Sequence, residues 1–305
     1  MTSWTASDIP SQQGRTAVVT GANSGLGFET AQALASNGAH VVMAVRNLDK
    51  GREALGRITS AYPAASLSLQ QLDLSSLASV RTAAAKLRSD HDRIDLLVNN
   101  AGIMMTPYGT TADGFELQFG TNHLGHFALT GLLMDRILAA PGSRIVTVSS
   151  VGHRFVRGIR FDDLQWERDY TRTGAYGQAK LANLMFTYAL QRRLRGTDTS
   201  AVAAHPGGSN TDLARNLPFP LRILTNLTAP LLAQPADRAA LPSLRAATDP
   251  GVLGGQFYGP DGFLGQRGYP TVVTSTQASY DLEAQQRLWD VSEKLTDVEF
   301  GRLSV

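Results

Sequence analysis

Residues 16–34 read TAVVTGANSGLGFETAQAL, and the succession of residue types in that stretch decides the fold. Thr16 to Thr20 is a short apolar and β-branched run without polar alternation, the pattern of a strand covered on both faces. It leads straight into Gly21, Gly25 and Gly27, after which Phe28 to Leu34 has helical composition. Glycines at those places permit a tight turn and a close backbone approach, and the helix start offers unpaired N–H groups to a pyrophosphate. Gly21, Asn23, Ser24, Gly25, Leu26 and Gly27 are the candidate phosphate cradle. Glycine-rich turns also end strands for purely structural reasons, and the glycine spacing here differs from the commoner one-then-two fingerprint. The reading therefore rests on the strand before the turn and the helix after it.

The same alternation extends outward from this unit. Further strands are expected at His40 to Val45, Leu67 to Gln71, Asp95 to Asn99, Arg144 to Ser149, Thr199 to His205 and, more weakly, Gln256 to Tyr258. Helical periodicity fills the gaps at about 25–37, 48–61, 76–89, 114–139, 174–195, 235–247 and 277–296. Strands alternating with helices imply an α/β fold: one doubly wound Rossmann domain, a mainly parallel sheet of about seven strands, and helices on both faces. Two segments break the rhythm, 153–170, rich in Arg, Asp and aromatics, and the proline-punctuated 207–235. Both follow strand ends, where open α/β sheets bind ligands, so they are candidate substrate walls or lids.

Composition narrows the function classes. Of 305 residues 43% are hydrophobic and 18% charged, which excludes a disordered, collagen-like or coiled-coil chain. A net charge of +2 without a clustered basic face gives no nucleic-acid footprint. Zero cysteines exclude disulfides, thiolate catalysis and thiolate metal sites and fit a reducing compartment, so the cytoplasm is the default expectation. Residues 1–14 are polar, with no export signal, and no apolar run reaches the roughly 20 residues of a membrane span.

Several positions carry chemistry. Where the second strand ends, a dinucleotide fold preferring NAD would place an acid; here stands Arg46, whose planar fork suits a phosphate and favours NADP. The alternative is a solvated Arg beside Asp49. Asp73 and Leu74 follow the third strand, where Asp73 is placed either to accept from an adenine amino group or to cap the helix near Ser76. Asn99, Asn100, Ala101 and Gly102 follow the fourth strand, where amides can bond to neighbouring backbone and a glycine admits a ribose closely. Ser149 and Ser150 follow the fifth. Tyr176 and Lys180, four apart, share one helix face, so the ammonium is expected near the phenol, favouring its ionised form. A free phenol titrates near 10, too high for efficient proton transfer at neutral pH, and a neighbouring cation would correct that. Helical Tyr/Lys pairs are also common surface decoration. His123 and His126, three apart, suggest metal ligation only weakly, because no third ligand is evident, so no metal is expected.

These elements, in this order, resemble the short-chain dehydrogenase/reductase family from about Gly14 to His205. Tyr176 and Lys180 match its Tyr-x-x-x-Lys, Ser150 its catalytic serine, Asn122 its catalytic asparagine, and Asn99 to Gly102 its Asn-Asn-Ala-Gly. Pro206, Gly207 and Thr211 match its segment beside the nicotinamide. The 26 positions between Ser150 and Tyr176 are about twice the spacing of compact members, and 153–170 fills the gap. With Asn122 to Phe127 and Lys180 to Asn183, this is similar to the retinol dehydrogenase and WW-domain oxidoreductase branch.

The resemblance implies a single NAD(P)-binding domain over 1–305, with NADP(H) the preferred cofactor and NAD(H) the alternative. It implies interconversion of a lipophilic aldehyde or ketone and its alcohol, with Tyr176 as proton donor or acceptor. Ser150 would orient the substrate oxygen, Lys180 would hold the nicotinamide ribose and lower the phenol pKa, and Asn122 would position a water. A homo-oligomer, dimer or tetramer, is the family expectation. Two other classes stand beside it: a dinucleotide-binding redox sensor or scaffold without turnover, and a nucleotide-sugar epimerase or dehydratase, against which the glycine spacing argues. The apolar stretch Leu217 to Leu232 reads equally as a lid, a subunit contact or a peripheral membrane patch.

Overall fold

Val18 lies at the centre of the molecule, paired to Val42 on one side and Leu97 on the other, and its neighbours Ala17 and Val19 point to the opposite face of the sheet. Both faces are dry, which is why the strand carries no polar alternation. The computed structural model describes residues 3–208 and 234–301. Strands β1 (Thr16–Thr20), β2 (His40–Val45), β3 (Ser66–Gln71), β4 (Leu96–Asn99), β5 (Arg144–Val148), β6 (Ser200–Ala204), β7 (Phe257–Pro260) and β8 (Pro270–Val272) form one sheet in the order 3-2-1-4-5-6-7-8. All neighbours are parallel except β8, which runs antiparallel to β7. The sheet thus has eight strands against the seven expected. The extra one is three residues long and opens on Pro270, too short to carry a periodic signal.

Helices α1 (Gly25–Ser36), α2 (Leu48–Ala61) and α3 (Leu77–Asp90) follow the first three strands. Asn47 and Ser76 cap the latter two through their side chains, each accepting from the backbone N–H three residues on. Further along come α4 (Gly125–Leu132), α5 (Met134–Leu138), α6 (Arg172–Arg193), α7 (Ala236–Thr248) and α8 (Leu282–Thr296). Leu34, Ile58 and Leu244 bring α1, α2 and α7 onto one face. Leu87, Leu129, Phe186 and Trp289 bring α3, α4, α6 and α8 onto the other, where Phe127, Phe186, Trp289 and Phe300 pack ring against ring.

The helix expected at 114–139 is not continuous. It opens with one turn at Leu117–Phe119, widens into a π-turn at Gly120–Leu124, continues as α4, and breaks again at Leu133 before α5. Single π-turns inside helices recur at functional sites, and this one carries Asn122. Strand order reverses between β1 and β4, so the crevice of the sheet opens at their carboxyl ends, beside that turn. Among the described residues no helix is long and apolar enough to cross a membrane.

Candidate active site

The turn after β1 is held open by two glycines with positive φ, Gly21 at +68° and Gly25 at +53°. Gly27 answers a different need, because a methyl there would collide with the Gly21 carbonyl and the Asn100 amide. Ser24 precedes α1 without a side-chain capping bond, so it leaves the first-turn N–H groups without that partner. Thr20, Gly21, Asn23, Arg46, Asp73, Leu74, Gly102 and Thr121 line one cleft above the strand ends. Thr121 Oγ1, on its wall, is buried without a partner, an orphaned polar atom that a bound polar ligand would satisfy.

Arg46 is exposed at the cleft edge and makes no ion pair or hydrogen bond among the described residues. Asp49, its nearest sequence acid, is paired with Arg52 instead. Asp73 spends Oδ1 on the Ser75 N–H and hydroxyl, at 2.9 and 2.6 Å, while Ser76, not Asp73, caps α3. The Asn99 amide turns away from the cleft and donates to Thr130 Oγ1 at 3.0 Å, so this side chain supports α4. Ala101 and Gly102 stay at the cleft.

Ser149 and Ser150 part company at the end of β5. The Ser149 hydroxyl is buried and donates to the Lys180 main-chain carbonyl at 2.8 Å. Ser150 starts a 3₁₀ turn, Val151–Phe155, accepts from the Gly152 N–H at 3.1 Å, and has the Tyr176 phenol as a side-chain partner. Tyr176 packs so closely on Gly152 that a methyl there would lie 2.7 Å from the ring. Lys180 Nζ sits 5.8 Å from the centre of the Tyr176 ring and donates to the Val148 carbonyl at 3.0 Å. A methyl at Gly102 would be 3.5 Å from that ammonium and 3.2 Å from Asn122 Oδ1. Ser150, Tyr176, Lys180, Asn122 and Gly102 are therefore gathered from separate chain segments at one end of the crevice.

One detail departs from expectation. Burial pushes the Tyr176 phenol up to about 12 despite Ser150, and burial brings Lys180 down to about 8. The ammonium lies over the ring face, as the i, i+4 spacing suggests, and donates to a carbonyl, while burial dominates at the phenol. Asn122 holds Ile103 through its side chain, accepting from Ile103 N–H at 2.8 Å and donating to Ile103 O at 2.9 Å.

Hydrogen bonds fasten the segment 153–170, the candidate wall, to its neighbours. Gln178 accepts from Arg160 N–H and donates to Leu164 O, while Tyr170 donates to Thr106 O and accepts from Gln118. Gln118 also accepts from Met105 N–H, locking the segment after Gly102 against that wall. Sequence reading missed Gln118 and Tyr170, since neither residue type nor spacing marks them. Of the lid-like segment 207–235, residues 209–233 lie outside the described residues, and with them Thr211 and Leu217 to Leu232. Gly207 has φ +71°, and the Pro206 carbonyl accepts from Gln234 Nε2 at 2.9 Å.

A profile of the short chain dehydrogenase family matches residues 15–219. The chain belongs to that family. It is 40% identical to Retinol dehydrogenase 13 of Homo sapiens over 294 residues, covering 94% of this chain and 86% of that one. Retinol dehydrogenase 12 of Mus musculus is 38% identical over 289 residues, covering 94% and 88%. Among solved structures, an uncharacterised protein from Mycobacterium paratuberculosis is 44% identical with a TM-score of 0.81, covering 98% of this chain and 99% of that one. The Pseudomonas aeruginosa RhlG/NADP active-site complex is 25% identical with a TM-score of 0.64, covering 81% and 94%. This short-chain dehydrogenase is thus an oxidoreductase of the retinol dehydrogenase branch, in a family that binds NAD(P).

The histidines considered as metal ligands part in space. His123 Nε2 pairs with Ser292 Oγ and His126 with Thr20 and Asn122, so they share no ligand point. Burial holds His123 at about 3, His126 at about 4 and His205 at about 3. Unfolded histidines bind protons near pH 6.5 and these folded ones refuse them, so acid pulls the chain toward the unfolded state from pH 6.5 down to pH 3–4. Every tenfold loss of proton affinity on folding weakens the folded state by about 1.4 kcal/mol once the pH lies below both values. The melting temperature followed by calorimetry is expected to fall steadily from pH 6.5 to 4, and a flat profile there would contradict the neutral assignment.

Proposed function

We propose that this dehydrogenase uses NADP(H) to interconvert a lipophilic aldehyde or ketone and its alcohol, with Tyr176 as the acid or base. The observation that carries the reading is the meeting of Tyr176, Ser150 and Lys180 at the end of the crevice, beside a glycine turn whose edge presents an uncommitted Arg46.

The dinucleotide supplies or accepts the hydride. The turn at Gly21 to Gly27 would hold the pyrophosphate at the start of α1, and Arg46 would hold the adenosine 2′-phosphate. Asp73 and Leu74, which line the cleft, would hold the adenine, and Gly102 would leave room for the nicotinamide ribose beside Lys180. Ser150 Oγ would orient the substrate oxygen, and Tyr176 would give that oxygen its proton in the reductive direction. In the reverse direction the phenolate takes the alcohol proton. Phe155, exposed and placed 3.5 Å from where a Gly152 methyl would stand, offers an apolar surface beside the phenol, which supports a lipophilic substrate.

Purified protein is expected to consume NADPH with medium-chain or aromatic aldehydes, faster than it consumes NADH, followed at the nicotinamide absorbance across a carbonyl panel. Dinucleotide binding without turnover over the whole panel would favour the sensor reading.

A further inference from the structure

We propose that His126 is a positioning residue: its neutral imidazole is a strut between the dinucleotide cradle and the segment that carries Asn122. The inference rests on the dinucleotide site proposed above and adds a residue to it.

The chemistry of the partners settles which ring nitrogen holds the proton. The Asn122 main-chain oxygen can only accept, so His126 Nδ1, 3.0 Å away, donates to it. Nε2 is then the acceptor, 2.9 Å from Thr20 Oγ1. The Thr20 hydroxyl already accepts from the N–H groups of Asn100 and Ala101, each at 2.9 Å. Its single proton therefore goes to His126, the alternative Val98 carbonyl being farther off at 3.4 Å. Donors and acceptors along this relay are matched throughout, and the ring is fully buried, so its orientation is over-determined.

The relay joins functional parts that are distant in sequence. At one end Thr20 is the last residue before the glycine turn, and its hydroxyl sets the two amides that lead to Gly102. At the other end Asn122 sits in the π-turn, and its side chain grips both backbone groups of Ile103, next to Lys180. A helix that widens at Gly120–Leu124 is free to place its carbonyls differently from a regular one. His126 ties one of those carbonyls to the cradle, so cofactor seat and proton-handling side keep a fixed separation. His153 makes the like contact to the Ser150 carbonyl at 2.6 Å, but its other nitrogen faces the Thr276 N–H and not the cradle.

Two substitutions separate the halves of the strut. The shorter amide of His126→Asn reaches as far as Nδ1 and retains the donor to Asn122 while leaving Thr20 without its acceptor. The longer amide of His126→Gln reaches as far as Nε2 and does the reverse. His126→Asn is expected to raise the NADPH dissociation constant about tenfold, with a much smaller change in kcat. His126→Gln is expected to lower kcat about tenfold with the smaller change in affinity. Affinity is read from the fluorescence of bound NADPH, which needs no turnover, and kcat is counted per NADPH-binding site so that unfolded protein does not pass for slow chemistry. Variants that both keep wild-type constants, or that change affinity and kcat in equal proportion alongside a lowered melting temperature, would overturn the proposal. A wild-type protein that turns over no carbonyl would count against the oxidoreductase reading, while the affinities of the Asn and Gln variants would still decide for or against the strut.

Discussion

Replacing Tyr176 by Phe is expected to cut turnover by about 10²–10⁴-fold, the usual contribution of a positioned proton donor, and to leave dinucleotide affinity close to that of the wild type. The ring is what packs on Gly152 and lies under the Lys180 ammonium, and Phe keeps it. What disappears is the hydroxyl, together with its contact to Ser150. A phenol pushed up to about 12 holds its proton throughout the neutral range, the form in which it would donate. Carbonyl reduction should therefore outrun alcohol oxidation at pH 7, and the oxidative rate should climb as the pH rises. Steady-state rates in both directions, with NADPH affinity measured by fluorescence, check this. A Phe variant that reduces carbonyls at the wild-type rate would remove the phenol from the mechanism.

Arg46→Asp is the second large effect. A guanidinium on a phosphate makes charge-assisted hydrogen bonds worth roughly 1.5–3 kcal/mol, and a carboxylate in its place repels the same group. The NADP-to-NAD affinity ratio is expected to fall by about a hundredfold, since every 1.4 kcal/mol is tenfold. Stability should change little, because Arg46 is exposed and holds no partner that would be left unpaired among the described residues. Titration of wild type and variant with both dinucleotides reads the ratio directly, and an unchanged ratio would reject the phosphate role.

Most of the fold is legible in the residues, for a physical reason. Strands buried on both faces leave continuous apolar runs, and β1, β2 and β5 begin where those runs begin, at Thr16, His40 and Arg144. Elements that owe their form to partners are less visible. Strand β8 exists because β7 offers an edge, and the break at Gly120–Leu124 lies inside a stretch that reads as one helix. The site divides likewise. Gly21, Gly27, Tyr176 and Lys180 are marked by local patterns, and the structure brings them to one crevice. Long-range geometry adds partners that no local pattern shows: Lys180 also donates to the Val148 carbonyl, and the Asn99 amide to Thr130. The roles of His126 and Gln118 depend on partners 106 and 52 positions away, Thr20 and Tyr170, which no local window contains.

The wide turn at Gly120–Leu124 makes this helix sensitive to length in an unusual sense. A π-turn is an α-helix with one residue too many, so removing a single amino acid there would let the segment relax into regular winding and gain hydrogen-bond regularity. The helix on either side would keep its faces, because the wider turn absorbs the extra residue, while residues inside the turn would shift to new positions around the axis. Asn122 would lose its grip on Ile103. A shortened chain could thus melt no lower than its parent and yet be inert, which makes indel libraries across this window a sharper probe of function than point substitutions.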